Sequence, residues 1–169
     1  MQNDWKIAEP AIFELDENVQ AGDVARIERL TQAVGVFRQE EVVIAGELVN
    51  DRLIGKDETY QFLFLRDADE QIIAYSCYGV ICMTDERYDL YWIVVHPALQ
   101  GKGIGSQLMA ETLEHIAAAG GKAVYIETSS TAPYQPAQTL YQKHGFGLEA
   151  RLKNFYREGD DKLIYTKFL

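Results

Sequence analysis

The sequence predicts a single α/β domain built on one mixed, mostly antiparallel sheet. Three observations carry this. The chain has 169 residues, 47% of them hydrophobic and 11% aromatic, with no linker-like stretch, repeat or low-complexity tract; single domains commonly run ~100–200 residues. Three strand-like runs follow one another in the middle of the chain, separated by short polar breaks that read as hairpin turns. The order then changes to helix, strand, helix and two more strands, which requires a crossover connection within the same sheet.

In chain order, Ile7 to Leu15 reads as a first strand, with Pro10 confining it to an edge. Asp23 opens a helical pattern with Val24, Ile27, Leu30 and Val34 on one face. A second helix starts at Gln39, with Glu40 and Glu41 favourable in its first turn. Its expected apolar face is Val42, Val43, Ala45, Leu48, Val49 and Leu53, and Gly55 terminates it. The three central strands are Tyr60 to Arg66, Ile72 to Met83 and Asp89 to His96. Gly103 to Ala119 carries Ile104, Leu108, Met109, Leu113 and Ile116 at helical spacing. Lys122 to Thr128 is a β-branched and aromatic strand, Tyr134 to His144 a short helix closed by Gly145, and Phe146 to Lys153 with Lys162 to Phe168 a last strand pair.

Sixteen basic and 26 acidic residues give a net charge of -10. That argues against nucleic-acid binding, which needs a basic face, and against an anionic membrane surface. Residues Met1 to Leu15 include Asp4, Glu9 and Glu14 and hold no apolar run of signal-peptide length. No run of ~18 apolar residues suggests a transmembrane helix. Cys77 and Cys82 lie five positions apart on one expected strand, which points them to opposite faces. Both therefore read as reduced, packed thiols, and a cytoplasmic location is expected. The dispersed His96, His115 and His144 make no metal-type spacing with the two cysteines, so no metal is expected.

The most informative stretch is Val94-Val95-His96-Pro97-Ala98-Leu99-Gln100-Gly101-Lys102-Gly103-Ile104-Gly105. It runs strand, turn, glycine-rich loop, helix start. Glycines let backbone N–H groups converge on an anion, and a helix start adds unpaired N–H groups and a partial positive charge. Together they suit a phosphate. A dinucleotide fingerprint needs glycines at its first, third and sixth positions. The sixth position counted from Gly101 is Ser106 and from Gly103 is Leu108, and the antiparallel context is also wrong. Gly121-Lys122-Ala123 fails as a Walker loop.

Gln100, Gly103 and Gly105, preceded by Ile93, Val95 and Pro97, resemble the acyl-CoA signature of the GNAT superfamily of N-acetyltransferases. Ala137-Gln138-Thr139-Leu140-Tyr141-Gln142-Lys143-His144-Gly145-Phe146 is similar to that family's second motif. The resemblance covers nearly the whole chain and implies one N-acetyltransferase domain over residues 1–169 with a splayed parallel strand pair. It implies acetyl-CoA as co-substrate, with the pantetheine on backbone groups of Ile93, Val94 and Val95. The pyrophosphate is expected on the N–H groups of Gln100, Gly101, Lys102, Gly103, Ile104, Gly105 and Ser106. For the Lys102 side chain, a phosphate contact and a solvated position both stay open.

Acyl transfer needs a neutral amine. An alkylamine of pKa ~10.4 is neutral about once in ~2,500 molecules at pH 7, a deficit of roughly 4.6 kcal/mol. A general base is thus useful. The resemblance gives Tyr141 as the acid for the departing thiolate. Asp89, eleven residues before Gln100, stands at a position resembling the catalytic glutamate of the family's histone-acetylating branch and is the base candidate; strand alternation puts it on one face with Tyr91, Ile93 and Val95. Glu127 on the neighbouring strand is the alternative. Where many family members carry an asparagine this chain has Tyr134, so Thr128, Ser129 and Ser130 are the substitute polar contacts considered. The expected acceptor is a primary amine of a small molecule. A protein or peptide amine, a non-catalytic CoA-binding module and a homodimer stay open.

Overall fold

The computed structural model describes residues 14–169. Seven strands form one sheet in the order β1-β2-β3-β4-β5-β7-β6. They are β1 (Glu14–Asp16), β2 (Tyr60–Arg66), β3 (Ile72–Val80), β4 (Arg87–Val95), β5 (Ala123–Ser129), β6 (Gly147–Arg157) and β7 (Asp160–Phe168). The helices are α1 (Asp23–Val34), α2 (Gln39–Leu53), α3 (Ile104–Ala118) and α4 (Gln135–Lys143). Every strand pairing is antiparallel except β4 with β5. Most of the first expected strand lies outside the described residues; Glu14–Asp16 is its described end.

Helices cover the sheet on both faces, and alternation along the strands sorts apolar side chains to one or the other. Leu63 and Leu65 of β2 join Leu108, Met109, Leu113 and Ile116 of α3 in one core. Phe62 and Phe64, from the same strand, join Ile27 and Leu30 of α1 and Ala45 and Val49 of α2 in the other. The α1 start is fixed by a buried ion pair. Arg66 donates to both carboxylate oxygens of Asp23 at 2.9 Å and to Asp16 at 2.8 Å. Burial alone would raise the Asp23 carboxyl, but Arg66, the Gln20 N–H and Arg26 outweigh it and hold it below its ordinary value.

Several boundaries differ from the expected ones for local reasons. The second central run ends at Val80 rather than Met83, because Met83 and Glu86 take left-handed backbone in a tight turn closed by the Ile81 N–H on the Arg87 carbonyl. Cys82 consequently sits exposed in that turn rather than packed on the strand, while Cys77 is buried; both are free thiols. Val43 and Leu53 of α2 face solvent, and the buried stripe is Val42, Ala45, Gly46 and Val49. The last hairpin is longer than expected, since Asn154 (φ 53°) bulges β6 and its N–H is taken by Asp161 at 2.8 Å.

Candidate active site

The parallel pair β4–β5 is joined at only three positions: Arg87 with Ala123, Tyr88 with Val124 and Asp89 with Tyr125. Beyond Asp89 the strands part, while β4 stays on β3 to Val95 and β5 stays on β7 to Ser129. The result is a fork whose vertex is Asp89 and whose inner edges carry unlaced backbone. Ile93, Val94 and Val95 lie on the β4 arm, where the pantetheine contact is expected.

A β-bulge helps open the fork. Cys77 pairs with Trp92 but Tyr78 pairs with Leu90, so Tyr91 is an extra residue in β4. A bulge bends and twists its strand, and it also changes which residues share a face. Leu90, Ile93 and Val95 point to the α3 core, Trp92 and Val94 to the α1/α2 core. Asp89, opposite in phase to Leu90, therefore shares the α1/α2 face with Trp92, and Tyr91 leans over Gly79 and Tyr60 on that side. The expected single row of Asp89, Tyr91, Ile93 and Val95 is thus broken: the first two stand on one face and the last two on the other.

After β4, Pro97–Leu99 makes one 3₁₀ turn, capped by the His96 side chain accepting from the Ala98 N–H. The Gln100 side chain donates to the Val95 carbonyl at 3.0 Å and pins the loop to the strand end. Gly101 (φ 74°) and Gly103 (φ 88°) take left-handed backbone that other residues rarely adopt. Of the expected donors, the N–H groups of Gln100 and Lys102 are engaged within the loop, on the Pro97 and Leu99 carbonyls at 3.3 and 3.4 Å. The N–H groups of Gly101, Gly103, Ile104, Gly105 and Ser106 bond no acceptor among the described residues. They form a turn of donors at the start of α3. Gly105 has no positive φ, and a Cβ there would meet Val95 and Leu140 only at 3.5 and 3.6 Å. Neither its backbone nor its protein neighbours demand glycine, which fits a ligand passing close to it. The turn thus suits a diphosphate and the fork an extended arm.

Tyr141 lies on α4 in the α3 core, 6% exposed, with its ring against Phe146 (6.2 Å) and Tyr165 (5.7 Å). Its hydroxyl bonds nothing among the described residues. Burial first, and then the neighbouring Tyr165 and Tyr134, push it well above an ordinary phenol, so it stays protonated. Asp89 is half-buried, and its carboxylate likewise has no partner among the described residues. Burial, and then the charge of Glu127, raise it above the ordinary carboxylate value. Tyr91 is pushed up to about 12 by burial and by Asp89. Glu127 is more exposed and is held by Lys162 at 2.6 Å, which makes it the poorer base.

The hydroxyls of Ser129 and Ser130 are engaged inside the protein. Ser129 donates to Asp160 at 2.6 Å, and Ser130 accepts from the Asp161 N–H at 2.9 Å. Tyr134 donates to the Val36 carbonyl at 3.2 Å. Phe37, in the α1–α2 turn, packs on Trp92 (5.2 Å) and on Tyr134 (6.5 Å). That turn therefore bridges the two arms of the fork on the α1/α2 face. Sequence reasoning missed this bridge, the bulge at Tyr91, and a bond between Ser106 Oγ and His144 Nε2 at 2.7 Å. Among the described residues no group of three potential ligands is placed to hold a metal, and no helix is long and apolar enough to cross a membrane.

A mixed sheet whose parallel pair forks beside a glycine-rich turn of donors defines the acyl-CoA N-acyltransferase class of folds. Residues 58–147, more than half of the chain, match the acetyltransferase (GNAT) domain, and the chain belongs to that family of acetyltransferases. It is 37% identical to a GNAT-family protein of known structure from Desulfovibrio desulfuricans, over 92% of this chain and 98% of that one, with a TM-score of 0.86. It is 29% identical over 126 residues to YvbK, an uncharacterized N-acetyltransferase of Bacillus subtilis (strain 168), spanning 64% of this chain and 80% of YvbK. The fold is shared with yncA of Salmonella typhimurium, determined with its cofactor acetyl-CoA: 18% identity, 93% and 94% coverage, TM-score 0.72.

Proposed function

We propose that this chain moves an acetyl group from acetyl-CoA to the primary amine of a small molecule, with Asp89 as base and Tyr141 as acid. The observation that carries the reading is that these two unpartnered groups stand on opposite faces of the sheet at one fork. The loop N–H groups of Gly101, Gly103, Ile104, Gly105 and Ser106 hold the diphosphate, and the open edge of Ile93 to Val95 holds the pantetheine. Acetyl-CoA supplies the acetyl group and leaves as the thiol.

Asp89 takes the proton from the amine, directly or through one water, as the nitrogen bonds the acetyl carbon. Burial and the neighbouring Glu127 raise Asp89 above the ordinary carboxylate value, which makes the ionised form a stronger proton acceptor than an ordinary carboxylate. Tyr141 gives its proton to the sulfur as the carbon–sulfur bond breaks. Burial keeps the phenol protonated and so available to donate, but it also weakens the acid, so the proton passes only as negative charge develops on the sulfur. Whole-chain charge opposes an anionic ligand, but the Debye length is ~8 Å at ~0.15 M salt. The donors of the turn act within contact range and prevail.

The bridge of Phe37 and Tyr134 across the arms supports a small acceptor over an extended peptide. Thiol release from acetyl-CoA, followed over amino acids, polyamines, aminoglycosides and an N-terminal peptide, tests the reading. Turnover is expected with a small primary amine. Turnover confined to the peptide would overturn the acceptor class, and tight acetyl-CoA binding without release to any amine would overturn catalysis.

A further inference from the structure

We propose that His144 is a positioning residue for the cofactor's diphosphate: it sets the direction of the Ser106 hydroxyl, so that an anion on the first turn of α3 is held most tightly when His144 Nε2 carries a proton. The inference rests on the reading of that turn as the phosphate site.

Ser106 belongs to the turn whose N–H groups face outward, and its Oγ lies 2.7 Å from His144 Nε2 at the end of α4. The two residues are 38 positions apart, so the bond couples two elements that both border the fork. A hydroxyl has one proton to give, and a bare imidazole nitrogen accepts only. With Nε2 bare, Ser106 donates to His144, and its own lone pairs are what remain for the anion. With Nε2 protonated, His144 donates to Ser106, and the hydroxyl proton is released to the anion. A neutral ring reaches the second state only by moving its proton from Nδ1 to Nε2, so the effect is graded rather than absolute.

The charged groups that face His144 are cations. Lys143 precedes it on α4, and Lys167 of β7 donates from Nζ to the His144 carbonyl at 2.5 Å. From α3 the facing group is Ser106 itself. Burial first, then Lys167 and Lys143, hold the imidazole below its ordinary value. An arriving diphosphate adds negative charge and favours the protonated ring. Binding must then take up protons, and by linkage affinity is highest at low pH and falls as pH rises through the His144 value of the complex.

Dephospho-CoA is the probe, because it keeps the diphosphate but lacks the phosphomonoester, whose own titration near pH ~6 would confuse the profile. Its Kd is measured by calorimetry from about pH 5.5 to about pH 8.5, in two buffers of different ionisation heat. The wild-type Kd is expected to rise roughly three- to tenfold across the range, with net proton uptake on binding. His144→Gln, whose amide always has a proton to give, is expected to bind tightly at every pH. Ser106→Ala is expected to bind weakly at every pH. A flat wild-type profile, or a wild-type slope that survives His144→Gln, overturns the role of His144 while leaving the phosphate site standing. Absence of binding in all variants at all pH values overturns the phosphate site and this inference with it.

Discussion

On the α3 side of the fork, the groups proposed to meet the ligand are backbone N–H donors of Gly101, Gly103, Ile104, Gly105 and Ser106. On the α1/α2 side they are side chains: Asp89 and Tyr91, bordered by Trp92, Phe37 and Tyr134. The first arrangement depends on glycines at set positions. The second depends on which residues a bulge and a distant turn bring together. A backbone site follows from the course of the chain and its glycines, whereas a side-chain site depends on the identity of each residue brought to it. That difference explains why the anion is easier to name than the amine.

Substitutions on each side should separate the two roles. Gly105→Val places two methyl groups beyond a Cβ that already has Val95 at 3.5 Å and Leu140 at 3.6 Å. Acetyl-CoA affinity is expected to fall by at least about 100-fold, as the steric cost falls on the ligand as well as on the core. Calorimetry checks this, with circular dichroism to verify the fold. Affinity within about twofold of wild type would mean that nothing passes close to Gly105.

Asp89→Asn acts on the other side. It is expected to lower kcat/KM for an alkylamine by roughly 10²–10⁴ while leaving acetyl-CoA binding alone. Steady-state kinetics and calorimetry on the same preparation check the split. Tyr141→Phe is expected to lower turnover by about 10–100-fold, because a thiolate is an easier leaving group than an ammonium is a nucleophile. Unchanged turnover would remove the phenol from the reaction. Because the base works ionised, kcat/KM is expected to rise with pH through an acid limb set above the ordinary carboxylate value. Glu127→Gln removes the negative neighbour that helps raise the Asp89 carboxyl, which favours ionised Asp89. The limb is therefore expected to move to lower pH in the pH–rate profile, the smallest effect of the four.

The same contrast governs what the sequence discloses. The helix starts at Asp23 and Gln39 follow from apolar periodicity and start signals, the third helix begins one residue after the expected Gly103, and the donor turn follows from Gly101 and Gly103. The bulge does not, since no glycine or proline lies between Arg87 and Val95 to mark it; it is visible only in the pairing with β3. Nor does Ser106–His144, a bond between residues that lie near each other only once α3 and α4 are packed. Tyr134 read as a departure from a family asparagine. In the fold it is a tether to Val36, made possible by a turn about a hundred residues earlier in the chain.

The most direct test is a crystal structure of the chain with acetyl-CoA bound. The account predicts the diphosphate on the N–H groups of Gly101, Gly103, Ile104, Gly105 and Ser106, the pantetheine between β4 and β5, the sulfur toward Tyr141 and the acetyl group toward the Asp89 face. A diphosphate away from the α3 turn, or an acetyl group turned from both Asp89 and Tyr141, would contradict it.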